Sequence, residues 1–91
     1  MEFAWDPRKA KRNLAKHGVS FDDAMTVFDH DLYLAFADPD HSTEESRFII
    51  MGQSKQGRLL VVAYTERSDT IRIISAREAT RQERKIYAEE I

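Results

Sequence analysis

The sequence has no cysteine, which excludes disulfide staples and thiolate metal sites. Its three glycines, Gly18, Gly52 and Gly57, are too few and too scattered for a loop that cradles phosphate. No H-E-x-x-H pair or comparable metal spacing occurs, and no G-x-S-x-G elbow supplies a nucleophile. Apolar runs fall well short of the roughly 20 residues that span a bilayer, and the polar first residues do not read as a signal peptide, so none is expected. The expectation is a cytoplasmic protein without membrane association. Basic residues are missing from one whole stretch: no Lys or Arg lies between Gly18 and Ser46.

What is present is 91 residues, 42% apolar and 33% charged, which is globular composition at the size of a single domain with a modest core. The net charge of −2 conceals a pattern of basic, then acidic, then basic. Arg8, Lys9, Lys11, Arg12 and Lys16 open the chain. Asp22, Asp23, Asp29, Asp31, Asp38, Asp40, Glu44 and Glu45 fill the middle, and Arg47 to Lys85 is again basic. A polyanion can bind such a surface despite the acidic total, because binding responds to the local field. The plain alternative is a solvated mixture of charges.

Asp6-Pro7 places a capping carboxylate before a proline suited to the first helical turn, and "RKAKRNLAKH" then reads as a helix ended by Gly18. Its inner side carries only Ala10, Leu14 and, less clearly, Asn13 and His17. Ser20 with Asp23 resembles a capping box opening a second helix, "FDDAMTVF", whose Phe21, Ala24, Met25 and Phe28 belong to the core. Four strands follow at 32–37, 47–54, 58–65 and 70–75, with Lys55-Gln56-Gly57 and Glu66-Arg67-Ser68-Asp69 as turns. Short links predict an α+β domain: an antiparallel meander of four strands, with "EFAW" as a possible fifth, two N-terminal helices and one C-terminal helix. The last helix starts at Ser75 with Glu78 or at Thr80 with Glu83, since both fit the S/T-x-x-E box.

"IRIISAREATRQER" resembles a core strand, yet arginines run through it. Alternation sends Ile71 and Ile73 toward the helices and Arg72, beside Ile74, to an opposite face open to water. Arg67 is expected in the preceding turn, Arg77 just past the strand, and Arg47 and Arg58 at other strand starts, with Arg81 beyond. Guanidinium forks suit phosphate oxygens, and Phe36, Tyr64 and Tyr87 are candidate stacking surfaces for splayed bases. The structural alternative pairs the arginines with Glu44, Glu45, Asp69 and Glu83. Metal-free RNA cleavage needs a base, cations and a proton donor. His17, Glu45 and Tyr87 are the candidates, set against helix capping for His17, ion pairing with Arg47 for Glu45, and packing for Tyr87. His30 and His41 read as solvated turn residues, and the acids around "DPDH" as a solvated loop; no cofactor or metal site is expected.

Three stretches carry a resemblance: "FAWDPRKAKRNLAKHGVSFDDAMTVF", "ESRFIIMGQS" and "RIISAREATRQERKIY". Their phrases W-D-P-x-K-x-x-x-N, K-H-G-V-S-F, R-I-I-S-A-R and E-x-x-x-Y resemble the BrnT family of bacterial toxins over nearly the whole chain. That resemblance implies a RelE-like ribonuclease of a type II toxin–antitoxin module, which cleaves RNA to halt translation and growth. It implies as partner a BrnA-type ribbon-helix-helix antitoxin, with operator DNA bound only through that antitoxin. The family pattern falls on Asp6, Lys9, Asn13, Lys16, His17, Gly18, Glu45, Arg47, Arg67, Arg72, Arg77, Glu83 and Tyr87. Arg67, Arg72 and Arg77 would stabilise developing charge, while His17, Glu45 or Tyr87 would move protons. The rival expectation is a non-catalytic corepressor acting through a DNA-binding partner.

Overall fold

The computed structural model describes residues 1–39 and 46–91. Strand β1 (Glu2–Ala4) leads into helix α1 (Pro7–His17) and the short helix α2 (Phe21–Met25), which tightens into a 3₁₀ turn over Thr26–Asp29. Strands β2 (Tyr33–Ala37), β3 (Arg47–Gln53), β4 (Leu59–Arg67) and β5 (Thr70–Glu78) follow, and helix α3 (Arg81–Glu90) closes the chain.

The helix ends follow the capping rules. Asp6 Oδ1 accepts the Arg8 N–H at 2.8 Å, and Gly18 takes a left-handed φ of 69° that returns its N–H to the Leu14 carbonyl. Of the two boxes available to the last helix, Thr80 with Glu83 is the one that forms, with both reciprocal bonds present. Thr26 Oγ1 donates to the Asp23 carbonyl and accepts the Lys55 N–H at 2.7 Å, which ties α2 to the β3–β4 connection.

The sheet order is β1-β5-β4-β3-β2. The expected four-strand antiparallel meander is present, but the sheet is mixed, because β1 joins as a fifth strand parallel to β5. The cause is the path of the chain. The helical excursion through α1 and α2 separates β1 from β2 by the whole sheet, and the meander then returns its last strand to β1. Two expected boundaries also move. Arg67 is the last residue of β4 rather than part of a turn, and Arg77 lies inside β5 rather than past its end.

One face of the sheet packs on α1 and α2. Val19, Phe21, Ala24 and Val27 meet Ile50, Leu60, Val62, Tyr64, Ile71, Ile73 and Ala76 there. Phe28 stands edge-on to both Phe3 and Tyr64, at ring separations of 5.2 and 5.0 Å. Each large side chain buried here contributes about 1.5–3 kcal/mol. Leu14, expected on the inner side of α1, is instead half exposed. The other face has a smaller cluster, Met51, Leu59 and Val61 under Ala79, which precedes α3, and Tyr87 of α3, and part of that face stays open.

Candidate functional site

Register across the open face brings separate strands together. Arg47 of β3 pairs with Thr65 of β4, and Thr65 pairs with Arg72 of β5, so the three share one row. Directly opposed residues point to the same face, and this face is opposite Tyr64 and Ile73, which are in the core. Two strand spacings separate the arginine backbones by roughly 10 Å. Thr65 between them is 1% exposed, and its Oγ1 has no hydrogen-bond partner. Neither guanidinium has a carboxylate partner among the described residues. The next row is Phe36, Ile49, Ala63 and Ser75, with Phe36 half exposed beside the cations. Arg67 follows Thr65 on the same face, at the end of the strand.

A bulge joins this face to α1. Between Ala63 and Tyr64 the β4–β5 register shifts, leaving Ile74 as the extra residue. Ile74 and Ser75 thus stand together opposite Ala63 at the edge of β5, and with Lys9, Arg12, Asn13, Lys16 and His17 of α1 they line a concavity of about 300 Å³. β1 pairs β5 only at residues 70–72, so the edge of β5 beyond them needs another partner. Asn13 supplies it. Its Oδ1 accepts the Ala76 N–H at 3.1 Å, and its Nδ2 donates to the Ala76 and Val19 carbonyls at 2.8 and 3.0 Å. The concavity is thus held in place by a side chain that acts as a strand edge.

Other candidates are engaged elsewhere. Arg77 lies opposite Val61 and donates to both Glu83 carboxylate oxygens, at 2.7 and 2.9 Å, and to the Glu78 carbonyl. Glu83 also accepts the Thr80 N–H at 2.8 Å, so the pair fixes the start of α3. Arg77 chiefly, with Thr80, holds the Glu83 carboxyl at about 2 against an ordinary 4.5, in spite of the opposing effect of burial. Such a group stabilises the fold above pH 4.5, and the contribution disappears as pH falls toward 2. Because the Arg77 side chain is 40% exposed, water screens the pair, and its pH-dependent part is discounted to about 1–2 kcal/mol. Glu83→Gln is expected to flatten the stability profile between pH 2 and 4.5 in denaturant titrations. A profile as steep as wild type would assign the acid loss to other carboxylates.

Tyr87 is buried, and its hydroxyl donates to the Leu32 carbonyl at 2.8 Å. Tyr64 lies on the core face, where burial first and Glu66 next push its hydroxyl pKa up, so it offers no surface to a base. Arg58 donates to the Gly18 carbonyl and lies 3.5 Å from Glu78, beside the start of β4 and away from the Arg47 row. Arg81 is exposed in the first turn of α3. His30 accepts the Leu32 N–H through Nδ1. Glu45 and His41 lie outside the described residues.

The structure therefore gathers Lys9, Lys16 and His17 beside the edge of β5, and Arg47 and Arg72 in one row across β3, β4 and β5. It leaves Arg77, Tyr87 and Arg58 in structural contacts. Sequence reasoning missed Arg12, although Lys9, Arg12, Asn13 and Lys16 follow the i, i+3, i+4, i+7 spacing of one helix face. It also missed Thr65, for which only the strand register gives a signal.

The described residues form a small α+β domain whose mixed sheet is covered on one face by α1 and α2 and is partly open on the other, where Arg47 and Arg72 lie. Residues 5–83 match the family described as ribonuclease toxin, BrnT, of type II toxin–antitoxin systems, and the chain belongs to that family. The crystal structure of the Brucella abortus ribonuclease toxin BrnT is similar at a TM-score of 0.66 and 25% identity, over 89% of this chain and 99% of that one. No curated protein matches the sequence. Membership implies an RNA target and an antitoxin partner. No helix among the described residues is long and apolar enough to cross a membrane.

Proposed function

We propose that this chain is a metal-independent, cytoplasmic endoribonuclease with a RelE-like fold that halts growth by cleaving RNA on its open sheet face. A BrnA-type ribbon-helix-helix antitoxin neutralises it and carries the pair to operator DNA. The observation that carries the reading is the row Arg47–Thr65–Arg72, two cations without carboxylate partners among the described residues, flanking a buried hydroxyl that has no hydrogen-bond partner among them. RNA cleavage through attack of the 2′-hydroxyl passes through a phosphorus centre with extra negative charge, and fixed guanidinium donors aimed at that charge lower the barrier. Arg72 and Arg47 fill this role, with Arg67 at the rim. Phe36 provides a stacking face for a base. The α1 concavity, with Lys9, Arg12 and Lys16, holds a flanking phosphate, and His17 lines the same concavity as the candidate for proton transfer there. Arg77 acts at one remove, by fixing α3 through Glu83.

Incubation of the purified protein with RNA in excess chelator tests this directly. Cleavage is expected to persist and to leave 2′,3′-cyclic phosphate ends. Abolition by the chelator, with recovery on adding a divalent metal, would remove the metal-free chemistry. The engagement of Arg77 and Tyr87 in structural bonds favours one rival, a non-catalytic corepressor. Intact RNA, together with operator repression that requires the antitoxin, would establish that rival.

A further inference from the structure

We propose that the outer edge of β2 is the docking site for an extended, basic segment of the antitoxin, which adds a sixth strand to the sheet. The proposal rests on the family reading for the existence of that partner, while the place and mode of docking come from the edge itself. Among the described residues β2 ends the sheet, with β3 as its one strand neighbour. The Asp38 N–H bonds to the Arg47 carbonyl, and antiparallel pairing alternates, so Leu34 and Phe36 also turn their backbone groups toward β3. Tyr33, Ala35 and Ala37 then turn theirs outward, in register for another strand.

Edges left to solvent usually carry a lysine, a proline or a bulge that blocks further pairing. "YLAFA" has none of these: its register with β3 is unbroken, and Leu32, Tyr33 and Phe36 are each about half exposed. Ala35 and Ala37, both small and exposed, leave room for a second backbone to approach. Charge selects the occupant. Asp29 and Asp31 are exposed just before the strand, and no Lys or Arg occurs from Gly18 to Ser46. A basic segment is attracted to this edge, whereas a second copy would bring acidic flanks together. Strand addition supplies affinity through main-chain bonds and specificity through alternate side chains. From β2 the bound segment continues over Phe36 toward Arg47 one strand away, which would cover the RNA face.

The test uses the full chain with the antitoxin encoded beside it. Ala35→Pro removes one outward N–H and no bond to β3, so the toxin is expected to stay folded while the antitoxin's Kd rises at least tenfold. Asp29→Lys with Asp31→Lys, which leaves the strand untouched, is expected to weaken the complex and to remove most of its salt dependence. Hydrogen exchange on the wild-type complex is expected to protect the amides of Tyr33, Ala35 and Ala37. Unchanged affinity in both variants, protection confined to other segments, absence of any complex, or self-association that protects residues 33–37 would each overturn the proposal. RNA cleavage by the free chain is read separately, so a failure of the ribonuclease reading leaves a distinct signature.

Discussion

Arg72→Ala is expected to reduce RNA cleavage by about a hundred- to a thousandfold, the scale seen when one donor to developing charge is removed, or roughly 2.7–4 kcal/mol. The loss should fall on kcat rather than KM. A cation that bound substrate and transition state equally would change KM alone. Stability should hardly change, because the Arg72 guanidinium has no carboxylate partner among the described residues whose pairing would be lost. Arg47→Ala should act in the same direction from the other end of the row. Thr65→Val supplies the contrast. Replacing a buried hydroxyl that has no hydrogen-bond partner among the described residues with a methyl of similar shape is expected to raise stability by up to about 1 kcal/mol. If cleavage falls while the melting temperature rises, the hydroxyl is kept for RNA rather than for the fold. Wild-type cleavage by both Arg72→Ala and Arg47→Ala would sink the assignment of this row.

The legible parts of this protein are those governed by local chemistry. Asp6-Pro7, Gly18 and the Thr80–Glu83 box mark helix ends because caps depend on neighbours within a few residues. Ile71 and Ile73 face the core as alternation required. The errors come from non-local geometry. One extra residue at Ile74 reverses the parity of everything after it, and nothing in "IRIIS" announces a bulge. For this reason Arg77, expected just past the strand, lies opposite Val61 inside it, and of its two readings the pairing with Glu83 is the one that forms. The parallel pairing of β1 depends on where a whole meander ends. The same limit applies to the site. Lys9, Lys16 and His17 share a helix and were legible together, whereas Arg47 and Arg72 meet only through the register of β4.

The bulge also explains why the second large effect should fall on a residue with no direct part in the chemistry. Asn13→Ala is expected to cost about 3–5 kcal/mol, a large share of the 5–15 kcal/mol that a small domain possesses. Three hydrogen bonds disappear, and the Ala76 N–H, the Ala76 carbonyl and the Val19 carbonyl are left without their partner. Asn13 is 7% exposed, so water has little access to replace it. Asn13→Asp should be nearly as damaging. A carboxylate can accept the Ala76 N–H but has no donor for two carbonyls, and their oxygens would then face a negative charge. Urea unfolding measures both losses, and hydrogen exchange at Ser75 and Ala76 should rise before the rest of the sheet opens. A cost below about 1 kcal/mol for Asn13→Ala would mean that the β5 edge finds water or another partner. The predicted order of events then links stability to function. When Asn13 lets go, α1 loses its register on β5, and Lys9, Arg12 and Lys16 lose the wall formed by Ile74 and Ser75. The cationic concavity should therefore fail at denaturant concentrations where the Arg47–Thr65–Arg72 row is still intact.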